Sequence, residues 1–572
     1  MTKLPRLALF AAAVAFPIVP AGAQGTPDPD LDRAHHVLRR ITFGPNRALV
    51  QQLKTGLAAA QSYITAQLNP PAVGAPNYHG SAALDQLLTG SYSPGTTGTL
   101  LLPNTLGAAF NANQTSQAQL AYALESEWQL REVMTQFWER HFNTHLFSQG
   151  GYFVPYIPAG ADYQNWVWWF EWEANEYYRA NCLTTFADLL SFTSHHASMM
   201  IYLHMPQNDG GPSSHPNEDY ARELLELYTM SPQEVLPSGT PQANYDQTDV
   251  EAVARILTGW DLDEPNAFVF QFDDADHTYP TGPTTLFQSS TSTVTIAAQT
   301  SPNGEQEGND LLLALAGHPA TKDFVCRKLI REFIGEVVAA RPNPAVLQAM
   351  KAAWGTQGQI QPVLTALFSS NDFLGTSNHL NHVRLPMESV VATARAIEAQ
   401  VKTVGGLADP GSMMQMINAM LAQGMALFGY PAPNGFPTYN NAQLSPSLGL
   451  ERTYCGWNVL LNAAPAQAPA TDVIAYVQPV QPPLPASPTV NNVAPHYIAV
   501  ADYLLTEFYG SNFTLEDELR VLDAIAAAAN WVTAQTNPPY AGNFDPAQPE
   551  HYKATILVAA TAALGMVQSA QR

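Results

Sequence analysis

The chain has 572 residues, 48 acidic against 25 Lys and Arg, for a formal net charge of −23; only 13% of residues are charged and 46% are hydrophobic. Nucleic-acid binding needs a basic face, which this balance does not supply, and an acidic membrane surface would repel the chain. The length exceeds the roughly 250–300 residues at which one core divides, so a large body with a secondary lobe is expected.

Residues 1–23 read as a signal peptide: Lys3 and Arg6, an apolar stretch from Leu7 to Val19, then the small-residue cleavage site Ala21-Gly22-Ala23. The stretch is too short to span a membrane, and no later segment is long and apolar enough. The expected location is periplasmic or extracellular. A main helical domain is expected over 24–465, with residues 69–118 as a loop or insertion rich in Pro, Gly, Ser, Thr and Asn. Periodicity predicts two helices in 31–68, one at 117–142, and others near 179–193, 216–230 and 249–258. Thr248 with Glu251 reads as a capping box, Gly259 as a left-handed stop, and Glu251–Arg255 as an outer-face pair. Residues 284–299 form the one plausible hairpin. Helices resume at 308–316, 319–336, 343–354, 359–369 and 386–401. A Pro- and Ala-rich linker (466–495) then leads to a C-terminal helical lobe (496–572). The fold class is all-α. Cys182, Cys326 and Cys455 match no zinc spacing; three buried thiols are expected, with one bridge and one leftover as the alternative.

Candidate chemistry concentrates between His215 and Trp260. On a helical wheel Glu218, Asp219, Arg222, Glu223 and Glu226 share one arc, and Tyr220, Ala221, Leu224, Leu225, Leu227 and Tyr228 fill the other. Glu218 and Glu226 flank Arg222 as a salt ladder would. Asp219 and Glu223 lack an in-helix cation and suit proton sharing, or a divalent cation held with a histidine such as His204 or His215. In FWERHFNTH (137–145), His141 and His145 lie one turn apart within the apolar arc. They are either core histidines satisfied by carbonyls or ligands for a metal ion or haem. Phe142 stands where a zinc protease carries its Glu, which removes that mechanism.

Other features carry a bland reading beside a functional one. Asp273, Asp274, Asp276 and His277 form an acidic loop without EF-hand spacing. Tyr163, Trp166, Trp169 and Phe170 make a core stripe, or a platform for sugar rings. His318 is placed to cap the helix after Pro319, and Arg327, Lys328 and Arg331 form a basic patch that would answer the acidic helix. There is no Gly-x-Ser-x-Gly and no phosphate-cradling glycine loop.

The motifs LRRITFGP (38–45), FWERHFNTH, NEDYARELLEL (217–227), TDVEAVARILTGW (248–260), HPATKDFVCRKLIREF (318–333) and RLPMESVVATARAI (384–397) make the chain resemble the bacterial secreted family known as domain of unknown function 1800. Weaker likeness continues through LFGYPAPNGFP (427–437). The resemblance implies export and a co-encoded secreted partner of phosphatase- or sulfatase-like kind; it implies no activity. The sequence departs from the family at His196-Ala197-Ser198-Met199, at His204, and at Asp276-His277-Thr278, where a following Lys is missing.

Two functions are expected to compete. One is an exported enzyme, a metal-assisted hydrolase or oxidoreductase. There His141, Glu218, Arg222 and Glu223 do the chemistry, and His141, His145 and Glu223 bind the metal, with haem as the other cofactor. The second is a non-catalytic envelope scaffold that binds a glycan or the phosphatase-like partner.

Overall fold

The computed structural model describes residues 27–565 except 82–83, 85–111, 146–163, 212–215, 236–240, 264–267, 456–471, 536–542 and short stretches between 380 and 454 and at 490–491. The expected signal segment, most of the expected 69–118 insertion, His215, Tyr163 and the start of the expected linker therefore lie outside the described residues.

The architecture is mainly helical, as the periodicity implies. Among the described residues the strands form four separate two-stranded antiparallel hairpins. The pairing Thr284–Leu286 with Val294–Ile296 is the expected hairpin. Those at 233–243, 260–272 and 403–408 are additional, with strands of two or three residues, too short to show an alternation in sequence. The first region has three helices where two are expected: Pro29–Ile41, Arg47–Leu53 and Leu57–Gln67.

One hydrophobic core runs continuously from Ala34 on the first helix to Leu564 on the last. The C-terminal helices are stitched to the N-terminal ones by polar bonds as well. Asp32 accepts from the Ser511 amide at 2.9 Å and from Asn512 Nδ2 at 3.0 Å. Arg39 donates to the Phe508 carbonyl at 2.8 Å. Cys182, Cys326 and Cys455 are buried free thiols, as expected. No helix among the described residues is long and apolar enough to cross a membrane.

Two local expectations shift. The helix Gln247–Ile256 is capped by Asp246 with Asp249, two residues before the anticipated Thr248–Glu251 box. Arg255 turns from Glu251 to the buried Glu307, 2.9 Å away, and to the Thr278 carbonyl, where it neutralises a carboxylate that burial would otherwise penalise. Gly259 does take the left-handed conformation (φ +81°), and a Cβ there would lie 2.5 Å from the Asp273 carbonyl oxygen. His318 caps the helix Pro319–Phe333 through Nδ1, which accepts the Ala320 amide at 3.2 Å.

Candidate functional site around His141 and Lys328

Helix Gln129–His141 organises the centre of the molecule. Its Gln129 side chain fixes its start, donating to the Ala123 and Ser126 carbonyls and accepting the Phe43 amide. Its last turn carries His141 and Arg140, the latter a cation at the negative end of the helix dipole.

His141 is 2% exposed. Its ring lies among Phe137, Trp138, Phe142, Phe186, Tyr228 and Phe324, with centroids 4.5 to 6.5 Å away. Nε2 donates to the Tyr228 carbonyl at 2.9 Å, and Nδ1 accepts from Lys328 Nζ at 2.7 Å. Burial, then the Lys328 charge, hold the imidazole pKa well below its ordinary value, so the ring is neutral.

The Tyr228 carbonyl is presented by an irregular turn. Asn217 Oδ1 caps the helix Glu218–Glu223 by accepting the Tyr220 amide. From Leu224 to Thr229 the chain then widens into a π-helix, and the Met230 amide bonds the Leu225 carbonyl, five residues back. A π-turn inserts one residue into the ladder and re-aims the carbonyls beyond it, a device frequent at functional sites. The sequence predicts one uninterrupted helix here, because LLELYT has the same apolar spacing in either form.

Lys328, on the helix Pro319–Phe333, is half-buried, and its amine sits over the Phe324 ring at 5.2 Å. Burial, with Arg331 and Arg140 nearby, brings its pKa down to about 7; Glu332 opposes the shift. Glu332 is itself taken by Arg140 NH2 at 3.0 Å. The Arg331 guanidinium lies 4.7 Å over the Tyr439 ring. The basic patch thus does not answer the acidic helix: Arg327 pairs with Asp323 in its own helix at 2.5 Å, while Lys328 turns to His141.

The loop 427–437 closes this region. Asn143 Nδ2 donates to the Tyr430 and Ala432 carbonyls at 3.0 and 2.9 Å, and the Tyr202 hydroxyl to the Pro431 carbonyl at 2.7 Å. Gly435 (φ +74°) passes so close that a Cβ would lie 2.3 Å from the Arg140 carbonyl oxygen.

The acidic helix divides. Glu218 and Arg222, each 43% exposed, form a 3.5 Å pair that Gln247 bridges, which is a surface salt ladder. Glu223 is half-buried instead; burial, then Glu226 and Asp219, raise its pKa. After burial, its charge is the main influence pushing Tyr202 up to about 12, and it raises Tyr228 too. So Glu223 and His141 both come to the neighbourhood of Tyr228, while Glu218 and Arg222 stay outside. His145 is half-buried, its pKa lowered by burial. His141, His145 and Glu223 are not gathered as a ligand set. Both ring nitrogens of His141 are engaged, and among the described residues no three His, Cys, Asp or Glu side chains are grouped to hold a metal ion.

The opposite face of the same helix holds residues that the sequence reading did not single out. Glu132 accepts Arg179 Nε at 2.9 Å and Arg131 Nε at 3.2 Å. Arg179, on the Trp-rich helix Gln164–Asn181, also bonds Glu176, Gln119 and Asn175 and stacks 3.7 Å over Tyr122. Glu139 accepts from Asn175 at 3.1 Å; burial, then Glu171, push its pKa up to about 8. Thr144 Oγ1 lies 2.7 and 2.9 Å from the two oxygens of Glu171. Of the expected stripe, Phe170 is buried and Trp169 half-buried, and Tyr163 and the Trp166 side chain lie outside the described residues; the neighbouring Val167 and Trp168 are buried.

Away from this centre, a shallow depression of about 350 Å³ is lined by Tyr177, Asp188, Ser191, Phe192, His195 and His196. In the acidic loop, Asp273 caps a short turn, Asp274 accepts from Ser301 at 2.7 Å, and His277 Nδ1 donates to the Thr258 carbonyl at 2.8 Å.

Lys328 is half-buried at the edge of the line of buried residues Val325, Cys326, Leu329, Ile330 and Phe333, so its spacing alone marks it only as a flank of the core face.

Residues 36–566 match the family described as Protein of unknown function (DUF1800). No curated protein and no solved structure matches the chain.

Proposed function

The chain belongs to that family of proteins of unknown function, and we propose that it is an exported enzyme whose reactive pair is Lys328 and His141. The observation that carries this reading is a lysine amine brought down to about 7 and hydrogen-bonded at 2.7 Å to a neutral, buried imidazole. A lysine in this state holds a free electron pair near neutral pH and acts as a general base or as a nucleophile toward a carbonyl carbon. His141, anchored by the Tyr228 carbonyl, keeps the amine in place; Glu223 supplies a carboxylate of raised pKa in the same neighbourhood. The hydrolase expectation is kept in this form, with Lys328 in the part first given to a metal: a divalent ion or haem iron on His141 would have to displace Lys328 or break the Tyr228 bond.

The test is turnover. Purified mature protein is assayed against chromogenic carboxylic, phosphate and sulfate esters beside Lys328→Met and His141→Asn. The reading expects hydrolysis with a pH limb near 7 that Lys328→Met abolishes. Equal rates in wild type and Lys328→Met, or no turnover of any ester, would overturn it. Export itself is checked by the mature N-terminus, expected at about Gln24.

One observation favours the scaffold reading. The depression beside the stacked Tyr177 and Phe192 rings (centroids 3.6 Å apart) lies apart from His141 and offers an aromatic, partly polar surface to a glycan or to the phosphatase-like partner.

A further inference from the structure

In a chain with almost twice as many acidic as basic residues, three basic side chains gather at one place: Arg140 from the end of its helix, and Lys328 and Arg331 from theirs. The charges that act on Lys328 are Arg331, Arg140 and a single carboxylate, Glu332, already bonded to Arg140. Arg331 has no ion-pair partner among the described residues; its guanidinium is covered by a ring, and its buried Nε has no hydrogen-bond partner there. Tyr439 above it is 46% exposed, so the cluster opens to solvent at that edge. Two guanidiniums with a single carboxylate between them carry excess positive charge, and a guanidinium offers several N–H donors in one plane, a shape that fits the oxygens of phosphate and sulfate. Buried donors with no partner are costly in themselves and become favourable once an acceptor arrives.

We propose that Arg331 and Arg140, roofed by Tyr439, form an anion subsite that binds a phosphate- or sulfate-type group, such as the charged end of an ester substrate placed beside Lys328. This deepens the enzyme reading by naming the substrate class. Its test is equilibrium binding, so either claim can fail without the other.

Mature protein is titrated calorimetrically with inorganic phosphate at low ionic strength, with acetate in parallel. The expected result is one phosphate per chain, bound more tightly than acetate. Arg331→Gln weakens it about tenfold, the loss of one charge-assisted contact. Arg331→Lys retains most of the affinity, and the distant control Arg33→Gln leaves it unchanged. Phosphate affinity that is the same in Arg331→Gln and wild type, or no phosphate binding by a folded wild-type protein, would overturn the subsite.

Discussion

On the face of helix Gln129–His141 that meets the Trp-rich helix, two guanidinium groups (Arg131, Arg179) are buried with Glu132 and pair also with the half-buried Glu176. On the face that meets helix Pro319–Phe333, two guanidiniums lie beside one carboxylate, Glu332, and a lysine amine is bonded to a neutral histidine. Both faces bury charge, but only the Arg131–Glu132–Arg179–Glu176 network on the first pairs cation with carboxylate one for one; Glu139 and Glu171 add acid beside it. A balanced network is what a fold needs to tolerate ions in its interior; an unbalanced one lowers stability unless something else uses the charge. The difference separates polar residues that hold the helices together from those available for chemistry.

The largest expected effect lies in the balanced network. Arg179→Met leaves Glu132 and Glu176 without their shared cation and is expected to cost about 3–5 kcal/mol in chemical denaturation. A loss under about 1 kcal/mol would erase the distinction between the faces.

Lys328→Met should behave in the opposite way, giving a protein as stable as wild type or more so at pH 6. The sign follows from proton uptake. Between about 7 and the ordinary lysine value of about 10.4 the unfolded chain holds a proton that the folded one has released, so wild-type stability rises with pH through that window. The Met variant loses this slope, which thermal melts from pH 6 to 10 will reveal.

Glu139 sharpens the comparison from the other side. Its folded pKa of about 8 lies above the ordinary carboxyl range, so its contribution to stability is complete in acid and is lost as pH rises through 8. Glu139→Gln should therefore melt higher than wild type at pH 9 and equally at pH 4. The smallest effect is expected for the exposed ladder: Glu218→Gln should change stability by less than about 0.5 kcal/mol, because water screens the Arg222 pair.

The helical fold was legible because its signal is local and repeated many times. The caps were legible to within a residue or two: Asp246 displaces Thr248 as the cap because its carboxylate reaches the Thr248 and Asp249 amides. The π-turn was not legible, since Leu224, Leu225 and Tyr228 are apolar in the right places for an ordinary helix. His141 could be placed on a buried face from its neighbours alone. Its partner could not: Lys328 is 187 residues away, and only tertiary packing joins them. Arg255 teaches the same lesson, since the local partner Glu251 yields to a buried carboxylate at Glu307.

The central claim, that Lys328 is a free amine near neutral pH, is tested most directly by its labelling kinetics. Trace acetylation of the native protein from pH 5 to 11, with each lysine quantified by peptide mass spectrometry, gives a titration curve per site. The account predicts a midpoint for Lys328 near 7, shifted back toward the surface lysines on unfolding. A native Lys328 curve that coincides with theirs, near ~10.4, would contradict it.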